Sequence, residues 1–216
     1  MITTGMEKLD ELIGGGIKNG IITDIFGASS TGKTQLTLQI VVNSLLQEGT
    51  ILYQDTTGSF RPERLLDMLR PKGLDATLLD KITVGRITNI QEQIKAISKI
   101  QQSNFSLVVI DNITDLFSFE YSKEEQILEK NKQFTKYMRQ LSNVILEKKI
   151  PLVIVNMIRK INDTEQENLD SIVSLFTHVK IKLSKKSTNY ICEVFPSSGN
   201  NQFYYKIEKY GLTSLT

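Results

Sequence analysis

A mostly parallel α/β sheet flanked by helices, with an antiparallel edge at its C-terminal side, is the fold this 216-residue sequence predicts. Three observations carry that expectation. Apolar strand-like runs alternate with helical runs from residue 21 to about residue 155. A glycine-rich string, Gly27-Ala28-Ser29-Ser30-Thr31-Gly32-Lys33-Thr34, stands between the first such strand and the first such helix. From residue 179 onward, strand-like runs are joined by short polar turns, the pattern of an antiparallel meander.

Each element has its own signal. Residues 21–26 read as a short strand, and 35–48 as a helix with Leu36, Ile40, Val41 and Leu45 on one face and Gly49 as its stop. Residues 51–54 form a strand that ends at Asp55, and 62–69 a helix with Pro62 in its first turn. A short strand at 81–84 precedes a helical face marked by Ile90, Ile94, Ile97 and Ile100. The continuous apolar run 107–110 is that of a parallel strand buried on both faces. A long helix follows over about 124–148, with Ile127, Phe134, Tyr137, Met138, Leu141 and Ile145 at helical spacing. Another buried strand spans 152–155, and the meander strands span 179–183, 190–195 and 203–207. Ligands of such sheets bind at the carboxyl ends of the strands. The glycine string, Asp55, Asp111 and Asn156 all fall there.

Composition agrees. At 40% hydrophobic and 23% charged residues the chain can bury a substantial core. A formal charge of +2 argues neither for nor against a nucleic-acid partner, so any basic surface must be local. The single cysteine, Cys192, excludes an internal disulfide and fits a reducing compartment. No signal peptide and no membrane-spanning run is visible, so the expected location is the cytoplasm, with no membrane partner. His178, the only histidine, has no companion that would make it a zinc ligand.

The glycine string matches the phosphate-loop pattern G-x-x-x-x-G-K-[ST] in the strand–loop–helix context that gives the pattern meaning. Its backbone N–H groups and the new helix's positive end suit phosphate oxygens. Lys33 would reach the β- and γ-phosphates, and Thr34 would offer its hydroxyl to Mg²⁺. Asp111, closing the run Leu107-Val108-Val109-Ile110, would hold that ion from the other side.

Several strings resemble the RecA-like recombinases of archaea and eukaryotes, the RadA family. They are Thr3-Thr4-Gly5, Leu9-Asp10 and Leu12-Ile13-Gly14-Gly15-Gly16-Ile17 at the start, and Phe26-Gly27 with Gly32-Lys33-Thr34-Gln35-Leu36 at the loop. Gly58-Ser59-Phe60-Arg61-Pro62-Glu63-Arg64-Leu65, Val109-Ile110-Asp111-Asn112, Glu120-Tyr121-Ser122 and Val155-Asn156 complete the set. The resemblance covers nearly the whole chain, and Arg61-Pro62-Glu63-Arg64 separates it from KaiC-like ATPases. It implies one RecA-like ATPase core over residues 1–216, without the family's N-terminal helical DNA-binding domain. That description fits the short paralogs of the RadB type in an archaeal-type cell. The implied cofactors are ATP and Mg²⁺. The implied nucleotide contacts are Gly27 through Gln35, Arg64 stacking on adenine, Asn156 at the fourth strand's end, and Pro196 covering a neighbour's adenine. An Arg guanidinium plane and a proline ring both suit an aromatic face.

Departures from the family pattern are as informative. The family's Asp-Thr-Glu-Gly, whose glutamate activates water, is here Asp55-Thr56-Thr57-Gly58. Thr57 cannot act as a base at neutral pH, and losing a positioned base costs about two to four orders of magnitude in rate. Asp55 is the candidate substitute. The family's γ-phosphate-sensing glutamine is replaced by Met157, whose thioether donates no hydrogen bond. In the first DNA loop, Ser122-Lys123-Glu124-Glu125 puts Glu124 at the arginine position. The loop expected over 158–173 carries Arg159 and Lys160 against Asp163, Glu165, Glu167 and Asp170, an unfavourable balance for DNA.

Residual DNA contacts are therefore expected from Lys180, Lys182, Lys185 and Lys186, with Tyr190, Tyr204 and Tyr205 nearby for base stacking. Lys130, Lys132, Lys136 and Arg139 read as a solvated helix face. The resulting expectation is an ATP-binding paralog that hydrolyses slowly or not at all. It would assist a full-length RadA-type recombinase or another paralog in recombination and repair. It would be a monomer or small oligomer alone, binding single-stranded DNA weakly and joining the nucleoid when DNA-bound. A DNA-dependent ATPase using another carboxylate, and a KaiC-like signalling ATPase, are the alternatives.

Overall fold

The computed structural model describes residues 1–161, 164–196, 199 and 201–215, with Lys160 and Ile161 described through their backbone alone. The helices are α1 (Glu7–Leu12), α2 (Lys33–Leu46), α3 (Pro62–Leu69), α4 (Ile90–Gln102), α5 (Asp115–Glu120), α6 (Ile127–Lys148) and α7 (Asp170–Val173). The strands are β1 (Ile22–Gly27), β2 (Ile51–Asp55), β3 (Ile82–Arg86), β4 (Leu107–Asp111), β5 (Leu152–Ile161), β6 (Thr164–Glu167), β7 (Val179–Lys186), β8 (Asn189–Phe195), β9 (Gln202–Glu208) and β10 (Gly211–Ser214). Across the sheet the order is β10-β9-β8-β7-β1-β5-β4-β2-β3, with β6 paired to β5. From β7 to β3 neighbours run parallel, and from β7 to β10 antiparallel, as the sequence predicts.

Two apolar layers cover the sheet. One packs α1, α2 and α3 against Ile25, Ile51, Tyr53, Val109 and the meander residues Ile181, Leu183, Cys192 and Tyr205. The other packs α4, α5 and α6 against Ile22, Leu52, Val108, Ile110 and Ile154. β1, β2 and β4 are buried along their whole length, and in β4 the residues from Leu107 to Ile110 are correspondingly a continuous apolar run. α3 begins at Pro62, whose missing N–H is harmless in a first turn. α4 begins under the Asn89 side chain, which accepts the Glu92 N–H at 2.9 Å. Among the described residues no helix is long and apolar enough to cross a membrane.

One expectation is corrected. The described residues within 158–173 do not form an open loop. β5 runs past Asn156 and pairs antiparallel with β6, Ile158 opposite Glu167, and α7 follows. Alternation in a strand leaving the sheet is short and mostly polar, so nothing in the sequence marks it as paired. The charge balance changes too. Glu167 is buried, and both it and Asp170 lie 2.5 Å from Lys180 Nζ. Asp163 and the Lys160 side chain lie outside the described residues.

Candidate functional site

The glycine string wraps the space between β1 and α2. Gly27 closes β1 so near β7 that a Cβ there would lie 2.1 Å from the Leu183 carbonyl oxygen. Gly32 adopts φ +92° as the residue before α2, a left-handed conformation that favours glycine. Within the loop, Thr31 Oγ1 donates to Ala28 O at 2.9 Å, and the Tyr205 hydroxyl donates to Thr31 O at 2.6 Å. Ser29 and Ser30 face solvent. The Lys33 ammonium curls into the loop and donates to the carbonyls of Gly27 (2.9 Å) and Ala28 (2.7 Å). Burial pulls its pKa below the usual lysine value, opposed by the charges of Asp111 and Asp115.

At the mouth of the loop, Thr34 Oγ1 donates to Asp111 Oδ2 at 3.0 Å, and the Tyr53 hydroxyl donates to the same oxygen at 2.9 Å. Register places Asp55 beside Asp111 on adjacent strands. Burial raises the Asp111 carboxyl, and Asp55 adds to that, while the hydrogen bonds from Tyr53 and Thr34 and the charge of Lys33 oppose it. A hydroxyl and a buried carboxylate in contact, with a second carboxylate alongside, fit the oxygen ligands Mg²⁺ prefers. The residues present therefore suit the implied ion.

A cleft of about 370 Å³ opens beside the loop, lined by Ser30, Gly32, Lys33, Thr34, Gln35, Arg64 and Ile207. Arg64, from α3, thus stands at the same cleft as the loop. Ile207 is a wall that the sequence reading did not name, since it sits in a meander strand far along the chain. Gln35 is buried, and its amide reaches the carbonyls of Glu208 (3.4 Å) and Lys209 (3.3 Å), so it tethers the β9–β10 turn over α2. Pro196 is exposed just beyond β8 and does not line this cleft.

Asn156 has a different setting from the one expected. It is fully buried, and its amide is used inside the protein. Its Oδ1 accepts from the Thr114 hydroxyl (2.7 Å) and the Met157 N–H (2.9 Å). Its Nδ2 donates to Glu167 Oε1 (2.7 Å) and Asn168 O (2.8 Å). No valence is left for a nucleotide, and the residue joins the β4–α5 turn to the base of the β5–β6 hairpin.

Thr57 is exposed, and its hydroxyl engages its own loop, 2.7 Å from Ser59 Oγ and 3.2 Å from Asp55 Oδ1. The Asp55 carboxylate accepts the N–H groups of Thr57, Gly58 and Ser59 at Oδ1 and that of Phe60 at Oδ2. The Arg86 guanidinium adds an ion pair at 3.7 Å. Asp55 organises the turn after β2.

The family is decided by the whole of this arrangement together with its match to known sequences. The Rad51 family profile matches residues 1–213. The chain belongs to the Rad51 family. It is 42% identical over 137 residues to the DNA repair and recombination protein RadB of Thermococcus sibiricus, an alignment covering 62% of this chain and 59% of the relative. With the RadB of Pyrococcus abyssi it shares 36% identity over 161 residues, 73% of this chain and 66% of the relative. With the DNA repair protein RAD51 of Saccharomyces cerevisiae it shares 33% over 168 residues, 73% of this chain and 42% of that protein. The matched part is thus about three fifths to two thirds of the RadB relatives' length. The chain is a RadA/RadB-like recombinase paralog.

The four lysines given a DNA role in this Rad51-family chain do not form one patch. A β-strand sends alternate side chains to opposite faces, so Lys180, Lys182 and Lys186 share one face of β7 and Lys185 lies on the other. Lys180 is turned inward, bonded to Glu167 and Asp170 and standing over the Phe26 ring. Lys182 pairs with Glu193 at 3.8 Å, and Lys185 lies over the Tyr190 ring. Lys186 is exposed on the open face, lining a hollow with Ile191 and Tyr204. Tyr190 and Tyr205 stack with each other, and Tyr205 is buried, which removes it as a base-stacking surface.

Proposed function

We propose that the chain binds ATP and Mg²⁺ in the cleft beside the phosphate loop, hydrolyses ATP weakly, and acts in homologous recombination and DNA repair as a mediator or regulator of a full-length recombinase. The observation that carries the reading is the contact between Thr34 and Asp111 at the mouth of a complete phosphate loop. The loop N–H groups and Lys33 would take the phosphate oxygens, exchanging the Lys33 bonds to Gly27 and Ala28 for bonds to the nucleotide. Thr34 and Asp111 would hold Mg²⁺, which neutralises phosphate charge when bound. Arg64 and Ile207 would flank the base. The weak turnover follows from Thr57, which offers no base, and from Asp55, whose oxygens are held by the turn it organises. The role in recombination and repair is inferred from relatives that bear those names.

Calorimetry with ATP–Mg²⁺ tests the nucleotide claim. Wild-type protein should bind and Lys33→Ala should not, and a folded wild type that binds no ATP sinks the reading. The mediator claim is tested by mixing the chain with a full-length RadA-type recombinase and following complex formation by light scattering. Long ATP-dependent filaments of this chain alone would instead point to an independent recombinase.

A further inference from the structure

The phosphate loop is held from behind by a residue 174 positions further along the chain. Tyr205, on β9, is buried in the apolar layer that also contains Leu36 of α2. Its hydroxyl donates to the Thr31 carbonyl at 2.6 Å. Thr31 is itself buried, whereas the next residue, Gly32, lines the cleft. One peptide unit joins them. That unit is planar and trans, so its C=O and N–H point in opposite directions. A carbonyl drawn inward to Tyr205 therefore turns the Gly32 N–H outward, to the cleft where phosphates would lie.

The rest of the β9–β10 hairpin grips the same junction. A Cβ on Gly32 would lie 3.2 Å from Ile207 Cδ1 and 3.4 Å from Leu212 Cδ1. In α2, Gln35 Nε2 donates to the Glu208 and Lys209 carbonyls. Gln39 Nε2 donates to Leu212 O at 3.2 Å, and Gln39 Oε1 accepts from Leu212 N at 2.6 Å. Gln35 and Gln39 stand one turn apart, so one face of α2 is bonded to the hairpin. Tyr205 thus reaches the loop from a strand whose own place is fixed. Burial pushes its phenol above the usual range, which keeps it a donor at any working pH.

We propose that Tyr205 is a positioning residue of the nucleotide site, whose hydroxyl sets the Thr31–Gly32 peptide and so aims the Gly32 N–H at the phosphates. The inference rests on the nucleotide-binding reading of the cleft. Without the hydroxyl that peptide takes other orientations, and nucleotide binds only the fraction of molecules with the donor correctly aimed. ATP and ADP both feel the loss, because the loop cradles the phosphates they share.

The test uses the full chain. Tyr205→Phe removes the hydroxyl and keeps the ring that packs against Tyr190. Calorimetric affinities for ATP–Mg²⁺ and ADP–Mg²⁺ should both fall by about fivefold or more. Tyr190→Phe takes the hydroxyl off the neighbouring ring and should leave both unchanged. A urea midpoint that drops in Tyr205→Phe while both affinities hold would make the bond structural only and overturn the proposal. Equal affinity losses in Tyr190→Phe would overturn it too. A second measurement needs no variant. In wild type the amide proton resonance of Gly32 should move to lower field when ADP–Mg²⁺ binds, since its N–H gains a charged acceptor. A Gly32 resonance unmoved by bound ADP would overturn the proposal even if Tyr205→Phe fails to fold. A wild type that binds neither nucleotide, seen directly by calorimetry, sinks the underlying reading and this inference with it.

Discussion

Asp24 and Lys180 are register partners on adjacent strands, and the Lys180 ammonium lies 3.7 Å from the Asp24 carboxylate. The same ammonium lies 2.5 Å from both Glu167 and Asp170. One lysine thereby fastens β1, β7, the end of β6 and α7 to one another. Through Glu167 Oε1 the cluster continues to Asn156 and the turn after β4.

Removing that lysine should therefore cost folding and not DNA affinity. Lys180→Ala leaves buried carboxylates without their cation, a change that destabilises by about 3–5 kcal/mol. Urea denaturation monitored by circular dichroism measures it. A loss under about 1 kcal/mol would mean that the cluster behaves as a solvated surface pair.

The cluster also sets a pH dependence. Burial raises Asp24 well above the ordinary carboxylate range, and the charge of Glu167 adds to it. Glu167 is itself raised by burial. Asp170 and Lys180 are the other charged groups at Asp24, acting in opposite directions. Between the unfolded value of about 4 and the raised folded values, the folded chain holds more protons, so this contribution to stability declines as pH rises. It is complete below the unfolded pKa and lost through the folded one. Asp24→Asn cannot ionise, so its Tm relative to wild type should climb between about pH 5 and pH 8. A Tm difference independent of pH contradicts the buried protonated carboxyl.

Magnesium should matter through Asp111. In wild type, chelation by EDTA should weaken ATP binding. In Asp111→Ala the Mg²⁺-dependent part of the affinity should vanish, leaving binding through the loop and Lys33. An Asp111→Ala protein that still gains affinity from Mg²⁺ would move the ion to other ligands.

Thr57→Glu restores a carboxylate on the turn after β2. Thr57 is exposed, and the Asp55 bonds to Gly58 N and Phe60 N do not involve its side chain, so the turn should survive the change. Turnover should rise by about 10²-fold, the worth of a positioned base. An unchanged rate would show that the turn holds position 57 away from the attacking water.

On the meander, only one lysine face can meet a given strand of nucleic acid. Lys186→Ala should reduce the slope of log K against log salt for single-stranded DNA by about 0.7, one phosphate contact. Lys185→Ala, whose ammonium rests on the Tyr190 ring on the opposite face, should leave the slope unchanged. Equal effects from both would mean that DNA crosses the strand edge and not the open face.

The alternation of elements, the phosphate loop and its partner aspartate were legible because each is written locally. Continuous apolar runs as short as 107–110 fit strands buried on both faces, and Gly32 and Lys33 have their meaning within one turn of chain. The α4 and α6 faces were legible for the same reason, since helical spacing repeats over many residues. The fate of individual polar side chains was not. Lys180 reads as one more lysine on a basic strand until β1 supplies Asp24 and the β6 hairpin supplies Glu167. Asn156 reads as a strand-end ligand until Thr114 and Glu167, from two other segments, take up its amide. Ile207 carries no local signal, because it reaches the cleft only through pairing of the meander strands far along the chain. Burial and charge compensation are sums over neighbours brought by the fold, and those sums exist only once the strands are in register.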